Sequence, residues 1–250
     1  IDSETWQFIH RTDSFYPPET ASFPIEKQRA IYDGMCREFF QGYPQGIVVA
    51  DSLLAGVPCR HYQGPTPSAV RVVYFHGGGF VALGLDSHDG ICRYLCAGSG
   101  SVVVSVDYRL SPEHRFPAAA QDAVDATQWV ADQAQALGAD PRRLVVGGDS
   151  AGGCLAAATA MHFRDAGGLS LAGQLLLYPV TDHPSGTPDA YQRFGAGFGL
   201  TALAMRWFWD QYLAAPEQAA DPLASPLRMV SCAGLPPARL LVNSASRFVY

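Results

Sequence analysis

The sequence predicts an α/β fold with a mostly parallel central sheet flanked by helices. Three observations predict it. Short apolar segments recur from residue 70 to residue 244, helical patterns lie between them, and glycine or proline marks most of the joints. The apolar segments are "VRVVYF" (70–75), "SVVVSVDY" (101–108), "RLVVGG" (143–148), "GQLLLYP" (173–179) and "RLLVNS" (239–244). Most are rich in β-branched residues, which suit a strand buried on both faces. Strand–helix–strand repetition then calls for parallel pairing with helices on both sides. Upstream, "IVVADSLL" (47–54) and "VPCRHYQG" (57–64), split by Ala55-Gly56, read as an antiparallel pair leading into the sheet.

The helices follow from period and punctuation. Pro117 opens one at its first turn; Ala120, Val124, Ala131 and Ala134 keep helical spacing, and Gly138 closes it. Residues 151–166 form an Ala-rich helix ended by Gly167-Gly168. Two segments stand outside the alternation. Residues 1–45 hold no clear strand; Ser22 and Pro24 can start a helix whose Ile31, Met35 and Phe39 share a face. Residues 185–220 hold "TALAMRWFWDQYL" (201–213), with an aromatic stripe that suits core packing and an apolar wall alike. The expected organisation is one domain over residues 1–250, with 1–45 and about 185–220 forming a helical cap.

The 250 residues are enough for one large core. The chain is 48% hydrophobic and 16% charged, with a formal net charge of −6 and scattered Lys and Arg. That balance argues against disorder and against nucleic acid or an anionic membrane as partner. No apolar run approaches the ~20 residues of a membrane span, and "IDSETWQFIH" lacks the pattern of a signal peptide. Six cysteines form no C-x-x-C pair, and Cys92 and Cys96, four apart on one helix face, have no His at zinc spacing. They read as buried reduced thiols of a cytoplasmic protein, with no metal.

The chemistry centres on "GGDSAGG" (147–153). Gly148-Asp149-Ser150-Ala151-Gly152 matches G-x-S-x-G between a strand and a helix, the context that makes Ser150 a nucleophile rather than part of a plain glycine-rich turn. A serine on so sharp a turn is crowded by both elements, so the positions two before and two after need glycine. The turn lifts the hydroxyl above the sheet and aims a helix N-terminus at developing negative charge. "HGGGF" (76–80) follows a strand too, and its glycines let backbone N–H groups approach a ligand. Gly77 and Gly78, with Ala151, are the expected oxyanion donors. His76 suits a structural hydrogen bond better than a base.

"HGGGF", "DSHDGICRYL" (86–95), "DYRLSPEHRFPAA" (107–119), "GDSAGG", "LLYPVTD" (176–182) and "LPPARLLV" (235–242) together resemble the hormone-sensitive-lipase-like family of α/β-hydrolases, in its order and spacing. The resemblance implies an α/β-hydrolase fold with an N-terminal helical cap. It implies a carboxylesterase acting on small, short-to-medium acyl esters through an acyl-serine, without a cofactor. It makes Ser150 the nucleophile, puts Gly77, Gly78 and Ala151 at the oxyanion, gives Asp149 no required catalytic role and places Asp182 near the site. Arg109 and Glu113, from their spacing, are expected to form a buried ion pair. Phe80, Phe198 and the 207–212 aromatics are candidates for the acyl pocket, and a homodimer through edge strands is open.

The relay is where the resemblance breaks. A serine hydroxyl needs a base, usually a carboxylate-oriented His. The resemblance puts the acid at Ser246 or Arg247, neither a carboxylate, and no Asp or Glu follows Asp221. The last strand, the last helix and the His would come after Tyr250, so ester hydrolysis by this chain is expected to be impaired for want of an acid and a His. Three readings stay open: a fragment or C-terminally altered esterase, a non-catalytic ligand-binding relative, or a relay rebuilt from Asp182, His183 and His88. The plant gibberellin receptor, which resembles the family without the catalytic His, illustrates the second.

Overall fold

The structure is a computed structural model that describes residues 2–17, 19–136, 139–186, 189–196 and 199–242. Its seven-stranded sheet runs β1 (Val48–Leu54), β2 (Val57–Gln63), β3 (Arg71–Phe75), β4 (Val102–Val106), β5 (Leu144–Asp149), β6 (Gly173–Leu177) and β7 (Ala238–Leu241). The spatial order is β1-β2-β4-β3-β5-β6-β7. β1 and β2 form the expected antiparallel hairpin, β2 joins β4 antiparallel, and the remaining pairs are parallel. Around it lie α1 (Ser3–Asp13), α2 (Ile25–Glu38), α3 (Leu85–Ser99), α4 (Ala118–Asp132), α5 (Ala151–Ala166), α6 (Asp189–Phe194) and α7 (Ala202–Tyr212).

β3 is buried throughout, as its Val-rich run requires, and its side chains alternate between two layers. Val73 and Phe75 face the larger core with α4 and α5; Val72 and Tyr74 face a smaller one with Cys92 and Cys96 of α3. The paired cysteines thus fill core, as expected, and every cysteine is unpaired with another.

Some boundaries differ from expectation. α4 ends at Asp132, before Gly138, which lies outside the described residues. α1 is an additional helix, started by Asp2, whose carboxylate accepts the Thr5 N–H at 2.8 Å. α7 starts at Thr201, whose hydroxyl accepts from Ala204 N–H at 3.1 Å, and the aromatic stripe it carries is buried at Met205, Phe208, Trp209 and Tyr212.

The strand order positions the site. β3 lies between β4 and β5, so the chain reverses its winding direction at β3, and ligands of open parallel sheets bind at the carboxyl edge of such a point. Phe75 pairs with Gly148, which brings the loop after β3 beside the turn after β5.

Candidate active site

Ser150 joins β5 to α5 with φ 53° and ψ −117°, a left-handed backbone that a non-glycine residue adopts only when its surroundings impose it. Hydrogen bonds impose it here. The Ser150 N–H donates to Leu177 O at 2.9 Å, and its carbonyl accepts from Cys154 N–H and Val180 N–H at 3.1 Å each. The two motif glycines are steric requirements. A Cβ on Gly152 would collide with the Phe75 carbonyl oxygen and come within 2.6 Å of His76 O, and one on Gly148 would meet Phe75 O and lie 2.5 Å from Gly152. Strand and helix therefore meet at backbone distance, and Ser150 stays partly exposed at the N-terminus of a buried 16-residue helix.

The loop after β3 differs from expectation at Gly77. This residue is buried, and its N–H points inward, 3.1 Å from Asp149 Oδ1. Asp149 also accepts the Tyr74 hydroxyl at 2.9 Å and lies 3.2 Å from His88 Nε2. Burial pushes the Asp149 carboxyl up, but His88 and the Tyr74 hydroxyl outweigh it, and the group titrates below its ordinary value. Gly77 therefore holds the loop to Asp149 instead of facing a substrate. Gly78 and Gly79 are partly exposed, and their N–H groups, like that of Ala151, donate to no described residue. The sequence does not single out Gly79 beside Gly78, because a run of glycines does not say which way each N–H points.

His76 is fully buried, stacked on Tyr108 at 4.2 Å, with Nδ1 2.7 Å from Gly77 O. Burial, with His88 beside it, pushes its pKa down to about 3, so it stays neutral and structural. His88 is held between Ser87 Oγ at 2.9 Å and Asp149. Asp182 follows β6 close to the site, two residues beyond Val180, but its carboxylate is bound to Arg228 Nε at 2.6 Å and the His183 N–H at 2.8 Å. The His183 ring instead contacts Ser185 Oγ at 2.8 Å and the Trp209 ring at 5.2 Å. His88, His183 and Asp182 thus assemble no relay at Ser150 among the described residues. Ser246 and Arg247 lie outside them.

Two more expectations change. Phe80 is 2% exposed and stacks face to face on Tyr212 at 3.8 Å, so its ring fills core instead of lining an open pocket. Phe198 lies outside the described residues. Arg109 and Glu113 do not pair. Arg109 forks onto the buried Asp122 of α4 at 2.8 and 2.9 Å, and Glu113 binds Arg29 of α2 at 2.8 and 2.9 Å.

A family described as the α/β hydrolase fold matches the chain over residues 72–247, a stretch that includes the strand–Ser150–helix turn and the glycine loop beside it. The chain belongs to the α/β-hydrolase family. Within it, this chain is 40% identical over 191 residues to an ethyl acetate hydrolase of Pseudomonas putida, covering 74% of this chain and 60% of that protein. It is 43% identical over 232 residues to the carboxylic ester hydrolase LipN of Mycobacterium tuberculosis, covering 87% of this chain and 60% of that one. A hyperthermophilic esterase from the archaeon Pyrobaculum calidifontis superposes with a TM-score of 0.89 at 34% identity, over 99% of this chain and 81% of its own. The resemblance to hormone-sensitive-lipase-like esterases is borne out by these relatives. The chain spans about 60% of the length of the curated relatives it matches. No described helix is long and apolar enough to cross a membrane.

Proposed function

We propose that this α/β-hydrolase cleaves small, short-to-medium acyl esters through an acyl-Ser150 intermediate. The observation that carries the reading is the Ser150 turn, with φ 53° fixed by glycine-only contacts on both sides. Ser150 Oγ attacks the ester carbonyl carbon and gives up its proton to a base that His88, His183 and Asp182 do not supply among the described residues; the carbonyl oxygen becomes an oxyanion. Gly78, Gly79 and Ala151 N–H groups receive that charge, together with the positive end of α5. Collapse of the tetrahedral intermediate expels the alcohol, which takes a proton. Water then attacks the acyl-serine and releases the carboxylic acid.

The helical cap belongs to this proposal. Tyr32 of α2 meets Phe208 of α7 at 6.2 Å, and Phe208 packs where a Cβ of Gly79 would be, so both outlying segments converge on the glycine loop. A cytoplasmic setting fits the unpaired cysteines. A homodimer through an edge strand is compatible with this reading.

The test is hydrolysis of p-nitrophenyl butyrate by the chain, with Ser150→Ala as control. Turnover that disappears in the variant supports the reading. Turnover equal in both, or a ligand bound tightly without turnover, overturns it.

A further inference from the structure

The glycine loop is strained beyond its glycines. Gly78, Gly79, Phe80 and Leu83 have φ of 105°, 62°, 64° and 71°, so two bulky side chains share the left-handed region. Such a backbone persists only where its surroundings over-determine it. From within, the Val81 and Ala82 N–H groups donate to Gly78 O at 3.1 and 3.0 Å, which orients the peptide unit that carries the Gly79 donor. From outside, Ser111 N–H donates to Phe80 O at 2.8 Å.

A second external hydrogen bond comes from 52 residues upstream, in α2. Arg29 Nε donates to Val81 O at 2.8 Å. Its Nη2 donates to Ser111 O at 3.1 Å, and the fork closes on Glu113 at 2.9 and 2.8 Å. One guanidinium therefore joins α2, the glycine loop and the 111–113 segment, a geometry that a planar five-donor group can satisfy and an ammonium cannot. Its side chain is 24% exposed, so the contacts are partly shielded from water. One turn further along α2, Tyr32 reaches the same loop through Phe208, which packs against Gly79.

We propose that Arg29 is a positioning residue, through which docking of helix α2 sets the geometry of the loop that carries the oxyanion donors. The proposal rests on the reading of Gly78 and Gly79 as those donors. Arg29 touches no reacting atom; it acts through Val81 and Ser111. Losing it lets the loop relax from its left-handed residues and displaces the Gly78 and Gly79 N–H groups. Substrate binding depends little on those donors, whereas the transition state depends on them strongly, so kcat falls and KM changes little.

The experiment compares the full chain with Arg29→Met, Arg29→Lys and Glu113→Gln. Backbone hydrogen exchange is followed over residues 78–83, with β5 and α5 as internal reference, and p-nitrophenyl butyrate kinetics are measured in parallel. Expected for Arg29→Met is at least about tenfold faster exchange confined to 78–83, with kcat down about tenfold or more and KM within about threefold. Arg29→Lys, the milder variant should Arg29→Met fail to fold, is expected to shift both readouts the same way, because one ammonium cannot serve Val81 and Glu113 together. Glu113→Gln leaves the Val81 bond in place and should change loop exchange by less than about threefold. Unchanged loop exchange in the Arg29 variants would overturn the proposal. So would acceleration spread equally through β5 and α5, or an effect of Glu113→Gln equal to that of Arg29→Met. If the parent chain shows no Ser150-dependent turnover, the esterase reading falls, and loop exchange alone decides the positioning role.

Discussion

Replacing Gly152 by alanine adds one methyl group where, among the described glycines, a Cβ would come nearest to another residue's backbone. That Cβ would overlap the Phe75 carbonyl oxygen, lie 2.5 Å from Phe75 C and 2.6 Å from His76 O. All three atoms are backbone, so no side chain can swing away. Restoring ordinary contact requires the start of α5 to move away from β3 by about 1 Å or more. Overpacking of this kind costs about 1–3 kcal/mol, and the rigid surroundings of a fully buried helix start put it at the upper end. The same shift carries Ser150 and the Ala151 N–H with it, and a displacement of about 1 Å at reacting groups lowers rates by about 10². The matched control is Gly98→Ala near the end of α3, an exposed position where a Cβ meets nothing within 4 Å. It should be neutral or stabilise by up to about 1 kcal/mol through helix propensity. The assay is urea unfolding of both variants together with ester hydrolysis. A Gly152→Ala protein as stable and active as the parent would refute the steric account of the turn.

Three further outcomes are expected. Phe80→Ala removes the ring stacked on Tyr212 and should cost about 3–5 kcal/mol by urea unfolding; a change in acyl-length preference at unchanged stability would instead make Phe80 a pocket residue. Arg109→Met leaves the buried Asp122 carboxylate with the Arg109 backbone N–H at 2.8 Å in place of the guanidinium, and should cost about 1–3 kcal/mol by the same measurement. His76 accepts a proton only near pH 3 in the fold, against 6.5 for an ordinary imidazole. The unfolded chain therefore binds the extra proton between these values, and stability declines as pH falls from about 6.5 toward 3, by up to about 1.4 kcal/mol per pH unit. His76→Asn should flatten this part of the stability–pH curve; an unchanged slope would show that His76 is not the group responsible.

What the sequence made legible, and what it hid, follows from the range of the forces involved. The strands were readable because Val and Leu runs such as 102–106 and 144–146 suit burial on both faces, whichever neighbours they have. The Ser150 turn was readable because its constraint is local: only glycine fits at 148 and 152, and the chain has it there. The ion pairs were misread for the opposite reason. Arg109 and Glu113 share one segment, but their partners, Asp122 and Arg29, are chosen by how α4 and α2 pack, and Arg29 is 84 residues from Glu113. Gly77 was misread because its neighbours look identical in sequence; what separates it from Gly78 and Gly79 is the Asp149 carboxylate that claims its N–H. Phe80 looked like a pocket residue because it follows the glycines, yet φ 64° turns its ring into the core. Helix α1 was missed although Asp2 and Thr5 spell a cap, because none of its residues is buried and so no core face stands out in the sequence.

The central claim is that Ser150 accepts the acyl group. The most direct measurement is intact and peptide mass after brief exposure to p-nitrophenyl butyrate and an acid quench. The account predicts one butyryl group per chain, on the peptide carrying Ser150, and none in Ser150→Ala. A butyryl group on another residue, or none on the parent chain, would contradict it.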